Sequence, residues 1–96
     1  MDDQRRRWRR ACGDVGHRVR ELRQAKGWTQ EDLAEKLEIE GREVRRIEAG
    51  RNLTIRALVR LADALSTNLP DLFQPPKSRP KRKPGRPPKQ PSEGST

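Results

Sequence analysis

Between Val15 and Phe73 the apolar residues of this chain recur at intervals of three and four, and beyond Phe73 there are none. That spacing gathers side chains on one face of an α-helix, and the two-residue alternation of a half-buried strand occurs nowhere. Val15, Val19 and Leu22 predict a first helix, with Asp14 placed to cap its amino end and Gly27 to stop it by accepting a left-handed backbone. Thr29 opens a second helix over 30–37, with Asp32 completing a capping box and Leu33, Ala34 and Leu37 as the buried stripe. After a break at 38–40, a third helix covers 41–49 and closes at Gly50. Its only apolar inward positions are Val44 and Ile47, so it turns a broad polar face outward. Thr54 caps a fourth helix in which Ile55, Leu58, Leu61, Ala62 and Leu65 form the strongest amphipathic pattern of the chain. Asn68 and Pro70 start a last turn carrying Leu69, Leu72 and Phe73. The expected fold class is all-α.

Composition divides the chain into three parts. Apolar residues make up 29% and charged residues 39%, close to the border of disorder, so residues 14–74 are expected to form the folding unit. Residues 1–13 read as a basic amino-terminal arm around Arg5–Arg10 and Trp8, expected to be flexible and disordered. Residues 75–96 hold seven of the eight prolines, among lysines and arginines, and are expected to be an extended, disordered tail. Of the net charge of +9, the tail carries +6, residues 1–14 carry +2 and residues 15–74 only +1. Basic arms beside a nearly neutral core suit a polyanionic partner, foremost nucleic acid, with solubility as the plainer alternative.

Catalysis finds no support in the sequence. His17 and Cys12 are the sole histidine and cysteine, which excludes a disulfide framework and multi-cysteine zinc sites; no glycine-rich phosphate loop or metal-ligand cluster is present. No cofactor, metal or small-molecule substrate is expected. With no apolar run of membrane-spanning length and no signal peptide, a cytoplasmic protein without a membrane partner is expected.

Two short helices joined by a tight break, the second with a polar outer face, form the pattern of a helix-turn-helix. Val15-Gly16 with Val19, Leu22 and Arg23, then Gly27-Trp28-Thr29-Gln30-Glu31-Asp32-Leu33-Ala34 with Leu37, then Val44, Arg46, Ile47, Glu48 and Gly50, closely resemble the Cro/repressor (XRE) helix-turn-helix family. Arg51-Asn52-Leu53-Thr54 with Leu58, Leu61-Ala62 and Ala64-Leu65 fit the same family's fourth helix. The resemblance implies a five-helix, lambda-repressor-like domain that binds double-stranded DNA as a bacterial or phage transcriptional regulator, in particular a repressor, associated with the nucleoid.

A helix laid in the major groove shows base edges its amino-terminal polar residues. The outward positions of the third helix include Gly41, Arg42, Arg45 and Arg46, and arginine bonds bidentately to guanine O6 and N7. Arg42 and Arg46, one turn apart, are the leading base contacts, and the resemblance adds Gly41; a solvated charged face is the alternative. The amino end of the second helix favours a phosphate near Gln30, and the resemblance assigns backbone contacts to Gln30, Arg51 and Asn52. It also implies a largely buried ion pair between Arg23 and Glu48. Glu38 departs from the family's usual glycine, and Glu40 and Glu43 put carboxylates on the DNA face, where Glu43 could pair with Arg46 or Arg42.

Lys81–Lys89 resembles an AT-hook, with Lys83, Gly85, Arg86 and Pro87 for a narrow minor groove and Pro84 where an arginine is usual; a tail binding phosphates without preference is the alternative. One reading helix covers only a half-site, so a homodimer is expected, with Leu69, Leu72 and Phe73 as its seam. The Arg-Asn-Leu-Thr-Ile stretch and the Leu-Phe ending also resemble small restriction-modification controller proteins. An antitoxin, or a protein-interaction adaptor whose third helix faces a polypeptide, remains open.

Overall fold

A computed structural model describes residues 2–77, and in it the first helix begins far ahead of the apolar repeat that predicts it. Helix α1 spans Asp2–Ala25, 24 residues, or about 36 Å of rod at the α-helical rise. Residues 2–13 are therefore helical rather than a flexible arm, and Asp14 lies inside the helix instead of capping it. Trp8, Ala11, Cys12 and Val15 extend the stripe of Val19 and Leu22 backwards at helical spacing. Arginine is a good helix former, and Asp2 and Asp3 favour the positive end of the helix dipole. Gly13 lies inside the helix at a cost of about 1 kcal/mol, and it is Gly50 that needs to be glycine there, since a Cβ on it would lie 3.3 Å from the Gly13 Cα.

The next elements follow their local signals. Helix α2 spans Gln30–Leu37 behind a complete capping box, in which the Asp32 amide donates to the Thr29 hydroxyl at 3.0 Å and the Thr29 amide to the Asp32 carboxylate at 2.8 Å. Glu38 closes it in the left-handed region at φ 59°, with the Ile39 amide bonded back to the Ala34 carbonyl; the turn is made without glycine at a strain of roughly 1–2 kcal/mol. Helix α3 spans Gly41–Glu48 and Gly50 follows at φ 104°. Helix α4 spans Ile55–Ala64 behind Thr54, whose hydroxyl accepts from the Ala57 amide at 3.0 Å. A 3₁₀ turn at Leu69–Phe73 follows Asn68, which caps the Asp71 amide. The architecture is all-helical, and no strand occurs among the described residues.

Tertiary packing holds these short pieces, since helices of eight residues are unstable alone. Helix α1 packs on α3 and the 3₁₀ turn, α2 on α3 and α4, and α4 on the 3₁₀ turn. Val19, Leu33, Val44, Leu61 and Leu72 are fully enclosed where they meet. Gly16 lets α1 lie directly against the end of α3, because a Cβ there would come within 2.7 Å of the Ile47 and Glu48 carbonyl oxygens. Arg18 ties α1 to the 3₁₀ turn, donating to the Asp71 backbone carbonyl at 3.0 Å and to its carboxylate. The Thr67 hydroxyl, and after it the Arg18 guanidinium, hold the Asp71 carboxyl below its usual pKa.

Two apolar assignments are corrected by burial. Leu72 is 0% exposed, so it closes the core of its own chain and offers nothing to a dimer seam. Ile55 is 67% exposed: it continues the stripe of α4 by periodicity, but its side chain is left uncovered at the helix's first position. Lys83, Gly85, Arg86 and Pro87 of the AT-hook-like segment 81–89 lie outside the described residues.

Candidate nucleic-acid interface

The inner face of α3 decides how its outer face is presented. Val44 and Ile47 anchor it to the core, which turns Arg42, Arg45 and Arg46 outward, each mostly exposed. Gly41 sits at the first position, where a Cβ would collide with the movable Glu31 carboxylate of α2. The two helices approach closely at the point where α3 begins.

Glu48, at the last position of α3, is the node that fixes this geometry. Its carboxylate accepts from Arg23 Nε at 2.7 Å and Nη2 at 3.1 Å, a bidentate pair. The Arg23 side chain is 8% exposed and the Glu48 side chain 5%. Arg23 also donates to the Trp28 carbonyl at 2.7 Å, securing the loop before α2. Gln30 Nε2 donates to the same Glu48 carboxylate at 3.0 Å. The pair thus joins the end of α1, the start of α2 and the end of α3, and it orients the glutamine expected to meet a phosphate. The ammonium groups of Lys26 and Lys36 lie over the Trp28 ring, 5.3 and 5.5 Å from its centroid.

The outward arginines are not free of partners. Arg42 pairs with Glu40 at 2.7 Å, Arg45 with Glu31 of α2 at 3.7 Å, and Arg46 with Glu43 at 3.1 Å. Arg51, in the loop after α3, reaches back to the other oxygen of Glu43 at 2.5 Å. Of the two partners open to Glu43 from helical spacing, the structure joins it to Arg46, while Arg42 turns to Glu40. The Arg45–Glu31 and Arg51–Glu43 pairs had no sequence signal, since their members belong to different elements or lie eight residues apart. Asn52 lies against α1, its Oδ1 4.0 Å from Cys12 Sγ. The arginine-rich half of α1 therefore leaves the core beside Arg51 and Asn52, a continuity that a flexible arm would not have specified.

Comparison with known proteins agrees with the fold that carries these residues. A family model described as a helix-turn-helix domain matches residues 14–73. Among solved structures, the chain is similar to the restriction-modification controller protein C.AhdI from Aeromonas hydrophila, at 38% identity and a TM-score of 0.61, over 65% of this chain and 96% of that one. It is also similar to the hypothetical transcription factor NHTF from Neisseria, at 27% identity and a TM-score of 0.64, over 72% of this chain and 80% of that one. No curated protein matches it.

Proposed function

Since the chain belongs to the helix-turn-helix family of Cro-type regulators, we propose that it binds double-stranded DNA as a transcriptional regulator, with α3 in the major groove. The observation that carries this reading is the presentation of α3: its inner side is locked by Val44, Ile47 and the Arg23–Glu48 pair, and its outer side carries Arg42, Arg45 and Arg46. Arg42 and Arg46 read bases, with Arg45 and Gly41 completing that face, while Gln30, Arg51 and Asn52 contact phosphates on either side. The Arg5–Arg10 half of α1 is an exposed basic helix surface continuing from Arg51 and Asn52. Lys83, Gly85, Arg86 and Pro87 add minor-groove or phosphate contacts. The similarity to C.AhdI favours a restriction-modification controller within this class.

The protein acts as a homodimer, one reading helix per half-site. Exposed apolar side chains support this: Phe73 of the expected seam is 56% exposed, Ile55 and Val59 stand uncovered one turn apart on α4, and Leu69 of the seam is only partly buried against the core. Selection of bound DNA from a random pool tests the whole reading. The intact protein should enrich a two-fold symmetric site, and Arg42→Ala with Arg46→Ala should abolish the enrichment. A pool that stays random with the intact protein refutes it.

A further inference from the structure

The base-reading face of α3 is self-neutralised: each of Arg42, Arg45 and Arg46 already holds a carboxylate of its own chain. Two of these arrangements impose little. Arg42–Glu40 and Arg45–Glu31 are pairs between side chains more than half exposed, the second a loose 3.7 Å contact, and such pairs contribute next to nothing. Glu43 differs. Its side chain is 31% exposed, and its two oxygens hold two guanidiniums, Arg46 from the helix and Arg51 from the following loop. The triad presents a net charge of +1 where two free arginines would present +2. Arg46 is a proposed base contact and Arg51 a proposed phosphate contact, so one carboxylate restrains both kinds of contact.

We propose that Glu43 is a specificity-determining residue, withholding Arg46 and Arg51 from the phosphates of random DNA. Any duplex offers phosphates, whose attraction is sequence-independent and works through displaced counterions. With Glu43 in place, an arginine must abandon a carboxylate to gain a phosphate, one anion exchanged for another at little advantage. At a matching site no such exchange is needed: Arg46 and Arg51 each spend only Nη1 on Glu43, which leaves Nε and Nη2 of Arg46 for guanine O6 and N7 and those of Arg51 for a phosphate in register, with both pairs kept. This role rests on the assignment of α3 as the reading helix.

The test uses full-length protein and the variants Glu43→Gln and Glu40→Gln, titrated with a duplex enriched by the wild type and with random duplex across a range of salt. Glu43→Gln keeps the shape and removes the charge. Its affinity for random DNA should rise about 3–10-fold, and its log–log salt dependence should steepen by about 1–2 units, roughly 0.9 for each phosphate newly contacted. Affinity for the enriched site should change less than about twofold, so the specific-to-random ratio falls. Glu40→Gln removes the same charge from the same face but frees one exposed pair; its effect should be clearly smaller. Both variants should retain the wild-type circular dichroism and a cooperative melt, separating this role from a structural one. Unchanged random binding, equal gains on both duplexes, or equal effects of the two variants overturn the role of Glu43. A wild type that enriches no site overturns the reading assignment itself and this role with it.

Discussion

Replacing Glu48 with alanine should remove a large part of the stability of this domain. The change deletes a carboxylate whose side chain is 5% exposed and which accepts two bonds from Arg23 and one from Gln30. The stranded Arg23 guanidinium, itself nearly enclosed, keeps only its bond to the Trp28 carbonyl. Breaking a buried pair from one side costs about 3–5 kcal/mol, because a charge is left unpaired in the interior. A domain the size of residues 2–77 is stable by only about 4–11 kcal/mol, so E48A should unfold at far lower urea concentration, followed by circular dichroism at 222 nm. The double variant Arg23→Met with Glu48→Met removes both charges and refills the space; such replacements are often neutral, leaving the lost bonds to Gln30 and to the Trp28 carbonyl at about 1 kcal/mol each. The double variant should therefore be more stable than E48A by about 1–3 kcal/mol. The reasoning fails if E48A loses less than about 1 kcal/mol, or if the double variant loses the sum of the two single changes.

Other outcomes follow from the same contacts. Gly16→Ala drives a methyl group into the Ile47 and Glu48 carbonyls; a loss of about 1–3 kcal/mol is expected, read as a lower urea midpoint, and an unchanged midpoint would mean that α1 can retreat from α3. With Glu43 holding Arg51 back from random phosphates, Arg51→Ala should weaken binding to the enriched site and reduce its salt slope by about 1 while random DNA changes little, measured by fluorescence anisotropy; an equal loss on random duplex would mean that Arg51 already contacts phosphates of any sequence. Asp71 has its carboxyl pKa lowered by Thr67 and Arg18, so its contribution is present above the usual carboxylate range and disappears as pH falls through the depressed value. Asp71→Asn should accordingly be less stable than wild type at neutral pH and converge with it in acid; a gap that persists unchanged at low pH contradicts the assignment.

Much of this protein is legible in its sequence because the signals act over three or four residues. Thr29 with Asp32, Thr54 and Asn68 mark where elements begin, and each makes its cap as its position requires. The stripes of α2, α3 and α4 follow from periodicity alone, and the outward arginines of α3 follow from having only Val44 and Ile47 to bury. Asp14 sets the start of α1 too late, because a residue able to cap a helix stands here inside one, and only the longer apolar repeat through Trp8, Ala11 and Cys12 carries the helix back. Tertiary structure decided the rest: that Glu43 holds Arg51 as well as Arg46, that Arg45 meets Glu31, that Gly16 faces bare carbonyls, and that Leu72 is enclosed while Ile55 is not. A cap or a stripe is satisfied within one turn of helix, whereas partners 8 to 53 residues apart, such as Arg51 with Glu43 and Arg18 with Asp71, meet only after the helices have packed.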